Sequence, residues 1–313
     1  AADGSGGNPA AAPAAGDDVV FDTGATARLT NVCNSDLSGG TGISITVIDP
    51  GGNVSITIEM PVTLRMGASL TVGATDAHAL TVGFGSLSVA GNATFDIGAA
   101  GLAISSTIDI TSGSLTVAGD GSTIISGAIS GNNEVIKDGN GVLTLSHANY
   151  YTGATTVNAG TLRLEDAAAF GSGAGGITLG GGVLQLAAAI NAAAWTPAIT
   201  LTAASTIDAA TSGCVIDQTI ANNGNLLTVS GDENLAIIGI ISGSGGLAKT
   251  GAGTLTLSGD NAYTGVTTIS AGGITTVGAE RIADGSDVIV NGILTLGGDE
   301  TIANLSGSGG IGI

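Results

Sequence analysis

Short runs in which apolar and polar residues alternate recur along the whole chain, most of them bracketed by glycine. They read GASLTVG (67–73), GSLSVAG (85–91), GSLTVAG (113–119), GVLTLS (141–146), GTLRL (160–164), GGVLQL (181–186), NLLTVSG (225–231), GTLTLSG (253–259) and GILTLGG (292–298). A period of two marks a strand with one buried face, and glycine marks the corners between strands. Leu87, Leu115 and Leu143 are spaced by 28 residues, Leu143 and Leu162 by 19, and Leu162 and Leu184 by 22. Such spacings suit one turn of a parallel β-solenoid, in which each strand lies above its predecessor and inward residues stack in ladders. The predicted fold is therefore all-β, with Leu87, Leu115, Leu143, Leu162, Leu184, Leu255 and Leu294 pointing inward. Helical signal is confined to two Ala-rich pieces. LEDAAAF (164–170) reads as a loop or single turn, and QLAAAINAAAW (185–195) as a short helix or capping insertion.

A longer phrase occurs twice. KDGNGVLTLSHANYYTG (137–153) and KTGAGTLTLSGDNAYTG (249–265) align without gaps inside copies that run over 125–160 and 237–272, always 112 residues apart. The shared positions are Lys137 and Lys249, Leu143 and Leu255, Tyr151 and Tyr263, Gly153 and Gly265, and Gly160 and Gly272. Recurrence at one repeat position argues for structural roles. Each lysine is expected to lay its stem along the solenoid with its ammonium in water, and each tyrosine to cover a corner.

Composition agrees with this picture. With 55 Gly and only 5 Pro in 313 residues, collagen is excluded, and 43% apolar residues exclude disorder. Only 3% of residues are aromatic, enough for a narrow interior. The formal net charge of −19 repels phosphate backbones and anionic leaflets, so no nucleic-acid partner is expected. No apolar run is long enough for a membrane-spanning segment. Residues 1–18 read as a small-residue N-terminal tail or linker, and 19–313 as one continuous solenoid. Cys33 and Cys214 are too far apart in sequence to meet in an elongated fold and read as small buried hydrophobes.

Parallel β-helices also host polysaccharide lyases and hydrolases, which need a base beside carboxylates, or two carboxyls facing across a cleft. The basic inventory is Arg28, Arg65, Arg163, Arg281, Lys137 and Lys249. The acidic doublets Asp17-Asp18, Glu165-Asp166, Asp232-Glu233 and Asp299-Glu300 sit at corners and read as solvated loop charges. His78 and His147 have no ligand at metal spacing, and Trp195, Tyr150, Tyr151 and Tyr263 form no sugar platform in sequence. Asn53, Asn92 and Asn304 match the glycosylation pattern by chance. The expectation is no catalytic residue, no cofactor and no metal.

The stretch SGSGGLAKTGAGTLTLSGDNAYTGVTTISAG (242–272) resembles the passenger-associated transport repeat of autotransporters. The copy at 130–160 departs from it with Asn132-Asn133-Glu134 in place of the Gly-Gly opening and with His147 in place of Gly259. The resemblance implies a right-handed parallel β-helix, secreted or displayed at the bacterial cell surface by a C-terminal translocator barrel. It implies an adhesive or display stalk whose partner is a host or cell-surface macromolecule. LSGSGGIGI (305–313) restarts the phrase ISGSGG (241–246), a truncated third repeat. A fragment of a longer passenger is therefore expected, or a filament or surface-layer subunit that meets other copies of itself through the chain ends. A polysaccharide-active enzyme is the remaining alternative.

Overall fold

The computed structural model describes residues 92–98, 101–171, 175–190 and 198–313. Before these it describes the backbone of seven strands: Val19–Phe21, Ile45–Ile48, Val54–Thr57, Thr63–Met66, Ser69–Gly73, Ala79–Gly83 and Ser86–Val89, with the side chains of Leu87 and Val89. Each described strand has two to five residues and runs parallel to its neighbours, because it breaks at a corner and pairs with the equivalent strand of the next coil. Two compact units result, Ala1–Thr155 with Ala169–Ser172 and Thr156–Ala168 with Gly173–Ile313. The tail at 1–18 and Cys33 lie outside the described residues, as do Arg28, His78, Asn53, Trp195 and the side chain of Arg65.

In the first unit the strands form three stacks. One runs from Val19–Phe21 through Ile45–Ile48, Ser69–Gly73, Ala93–Ile97 and Leu115–Gly119 to Val135–Lys137. The second runs from Val54–Thr57 through Ala79–Gly83, Gly101–Ile104 and Thr123–Ile125 to Val142–Leu145. The third joins Thr63–Met66, Ser86–Val89, Thr107–Asp109 and Ile129–Ser130. The second unit repeats the plan. Its stacks run from Ile177–Leu179 to Ala262–Tyr263, from Thr161–Leu164 to Asn304–Ser306, and from Cys214–Ile216 to Gly310–Gly312.

Alternation along each strand decides what faces inward. In Ala93–Ile97 the residues Ala93, Phe95 and Ile97 are buried while Thr94 and Asp96 are not. All seven leucines expected inside are fully buried. Their ladder assignment needs correction, however. Leu87 stands in the third stack opposite Ile108, Leu115 in the first opposite Val135, and Leu143 in the second opposite Thr123. Partners one coil apart are separated by 20 residues at Leu115 and Val135 and by 22 at Leu162 and Leu184. The spacing of 28 thus spans a coil plus one further strand. The strand phrase recurs on every face, so its period counts strands and not turns.

The same freedom appears inside the second unit. ISGSGGL places Ile241–Gly243 in the stack begun by Ile177–Leu179 and Leu247–Lys249 in the stack begun by Thr161–Leu164. LSGSGGI places Asn304–Ser306 in that latter stack and Gly310–Gly312 in the one begun by Cys214–Ile216, one face further round. Among the described residues there is no helix. Residues 166–171 form turns, as the loop reading of LEDAAAF requires, and of QLAAAINAAAW only 185–190 are described, without helix.

Among the buried polar side chains, Thr123 lies on a strand with its hydroxyl unbonded. It is fully buried between Leu102 and Leu143 in the second stack. An unmade buried hydrogen bond is costly, whereas an apolar group of the same shape is not. Thr123→Val is expected to raise unfolding stability by about 1 kcal/mol, while Leu143→Ala next to it lowers it by about 2–5 kcal/mol. Denaturant melts of the two variants check both signs.

Candidate functional site

The repeat residues fall into two equivalent sets along the chain, Lys137 with Tyr151 in one and Lys249 with Tyr263 in the other. Lys137 and Lys249 close the strands Val135–Lys137 and Leu247–Lys249 at inward positions, each only 1% exposed. Lys137 Nζ donates to the carbonyls of Asp138 at 2.6 Å and Gly139 at 2.8 Å. Lys249 Nζ donates to the Thr250 carbonyl and to that of Gly251 at 2.9 Å. Burial pushes both amines below their ordinary value, opposed by Asp138 and Asp120 at Lys137 and by Asp232 at Lys249. The ammonium is therefore not in water, contrary to the expectation from sequence. Its stem fills the interior and its charge ties down two consecutive carbonyls of the corner that follows.

Tyr151 and Tyr263 are wholly buried. Their hydroxyls share hydrogen bonds of 2.6 Å with the Thr155 and Thr267 hydroxyls four residues on. Burial raises both phenols, opposed by the threonine bond, and Tyr263 is pushed up to about 12. The glycines make room for these close-packed corners. A Cβ at Gly153 would stand 2.0 Å from the Asn133 carbonyl oxygen, and one at Gly265 2.4 Å from the Gly245 carbonyl carbon. Gly160 and Gly272 both have φ of 62°, which side chains other than glycine's rarely permit.

One asparagine completes each set. Asn149 Oδ1 accepts from the Ile129 amide at 2.7 Å, and its Nδ2 donates to the Ala169 carbonyl at 2.5 Å. Asn261 does the same with the Ile241 amide at 2.8 Å and the Arg281 carbonyl at 2.6 Å. One amide side chain thus joins the coil before it to the coil after it, 20 residues away on either side. The signal was present, since both asparagines stand two residues before the repeated tyrosines.

Other candidates remain scattered. Arg163 pairs with Glu165 and reaches Gln185 of the next coil, and Arg281 pairs with Asp260. His147 and Tyr150 are exposed at a corner, and Cys214 is a buried free thiol bonded to the Ala188 and Thr211 carbonyls. Among the described residues no group of three His, Cys, Asp or Glu could hold a metal ion. Of the acidic doublets, Asp232 accepts from the Ala252 amide, and Glu300 binds two backbone amides instead of standing free in solvent. Asp17-Asp18 lies outside the described residues.

The family described as Passenger-associated-transport-repeat matches residues 135–164 and 247–275, which hold both sets. The chain carries two autotransporter passenger repeats. A Brucella suis biovar 1 (strain 1330) protein, described as Adhesin BmaC autotransporter, is 34% identical over 176 residues. That alignment takes in 54% of this chain and 4% of the relative's length. No solved structure matches. Passenger sequence of this kind is exported to the cell surface, and this chain is placed there with it. No helix among the described residues is long and apolar enough to cross a membrane. In the passenger repeats, the side chains that give the family its pattern bond to the solenoid's own backbone and to each other.

Two outcomes follow for the passenger repeats. Asn261→Ala strands the Ile241 amide and the Arg281 carbonyl, and is expected to cost about 2–4 kcal/mol in denaturant melts. Tyr263 has a raised folded value, so its contribution is complete below the ordinary phenol value and is lost as pH rises through about 12. Melting temperature should fall across that alkaline window, and Tyr263→Phe should flatten the fall. An equally steep fall in the variant would exclude Tyr263 as its cause.

Proposed function

We propose that the chain is an adhesive scaffold segment of a surface-displayed passenger, without catalytic turnover, whose outer faces meet a host or cell-surface macromolecule. The observation that carries this reading is where the repeat chemistry goes. Lys137, Lys249, Asn149, Asn261, Tyr151 and Tyr263 are all buried and all engaged within the solenoid, so the repeated polar groups brace its corners and coils and present nothing to a substrate. The description of the Brucella relative as an adhesin supports the same reading. Short strands with outward Thr, Ser and Asp leave a rigid polar surface over the frame, suited to many weak contacts.

Binding of labelled chain to host cells, with unlabelled chain as competitor, tests the adhesive part. Saturable, competed binding is expected, and binding no greater than that of an unrelated acidic protein would sink it. Incubation with acidic and neutral polysaccharides tests the rest, since release of reducing or unsaturated sugar would show turnover.

A further inference from the structure

In the second unit the stack begun by Ile177–Leu179 ends at Ala262–Tyr263, while the other two stacks continue through later strands. In those later coils the chain at 281–283 and 301–303 passes that face with no strand other than what begins near Asn304. Side chains take over the joining. Glu300 accepts from the Arg281 and Ile282 amides, both at 2.9 Å. Glu280 reciprocates, accepting from the amide and the hydroxyl of Thr301, both at 3.0 Å. The Glu280 amide donates to the Asp299 carbonyl at 2.8 Å. Glu280 itself has φ of 56°, a left-handed conformation that a glutamate adopts only when its surroundings hold it there.

We propose that this corner is an acid-released strap: residues 277–286 are latched to 299–301 by carboxylates in place of a backbone ladder, and protonation unlatches them over Tyr263. Ala283 of the strap lines the same groove as Tyr263. That groove, of about 380 Å³, is also lined by Asp260, Asn261, Glu280 and Asp284. The charged groups around the latch are Asp284 on the strap, Asp299 and Glu300 on the next coil, and Asp260 on the preceding one. The one cation there, Arg281, is committed to Asp260 and to the Val277 carbonyl.

Proton linkage sets the direction. A hydrogen bond with Asp284, and then two from Thr301, hold the Glu280 carboxyl below its ordinary value. Its contribution is therefore complete above the ordinary glutamate value and is lost as pH falls through the lowered one. Asp284 is raised by its bond with Glu280 and by that carboxylate's charge. Its contribution runs the other way, present in acid and fading as pH rises through the raised value. The pair grips best in mildly acid solution with one proton between two carboxyls, and strong acid releases it. Release also frees Glu280 from its left-handed strain.

Amide hydrogen exchange on the full chain tests the strap, read as protection factors corrected for intrinsic rates. Between about pH 5 and about pH 2, well below the ordinary carboxylate range, the Thr301 amide, held by Glu280, should lose protection severalfold. Ile274 and Leu294, in the adjoining ladder, should keep theirs. Glu280→Gln should bring Thr301 to its acid level already at about pH 5. Unchanged protection of the Thr301 amide in acid would overturn the proposal, as would a Glu280→Gln chain that responds to acid like the parent. If that variant also loses protection at Ile274 and Leu294, the parent's own acid series decides.

Discussion

Parallel stacking of coil upon coil within each unit is the constraint on which the rest depends. Each strand has too few residues to be stable by itself, and its amides and carbonyls are satisfied only by the coil before and the coil after. Corners obey the same rule: the Asp138 amide donates to the Val117 carbonyl, and the Gly141 amide to the Gly119 carbonyl. Whatever disturbs the rise of one coil is felt by both neighbours. Glycine at tight corners, alternation along strands and the scarcity of large side chains are all ways of keeping that rise uniform.

Against this constraint the buried polar groups make sense. A lysine or an asparagine inside a narrow apolar core costs free energy unless every donor and acceptor is used. Here the lysines close carbonyls within a corner, the tyrosines tie to threonines, and the asparagines reach across coils. Each therefore adds a directional bond where the apolar ladders supply only non-directional contact. The ladders provide cohesion, the lysines fix corners, and the asparagines, bonded 20 residues to either side, specify which coil sits above which.

Most of the fold could be read from the chain. The period of two in GSLTVAG and GTLTLSG, with glycine at the ends, is sufficient for short stacked strands, and Leu115 and Leu255 are buried as that pattern requires. The assignment of leucines to ladders was not legible, because the same phrase serves all faces and spacing alone cannot separate a turn from a turn and a third. The fate of Lys137 and Lys249 was misread for another reason. A lysine ordinarily keeps its charge in solvent, and only the three-dimensional corner reveals two carbonyls within reach. Asn149 and Asn261 carried a visible signal in their recurrence, but asparagine beside a turn reads as turn chemistry until its partners, 20 residues distant on both sides, are seen.

The shift of the SGSGG phrase by one face bears on how such a chain can change its length. A repeat protein whose units must each close a whole turn can gain or lose only whole turns. Here a strand with its corner is interchangeable among faces, so a duplicated stretch need not be commensurate with the turn it enters. Recombination between copies then has many permissible joints instead of a few, and the solenoid can lengthen in steps of a single side while every amide still finds a carbonyl.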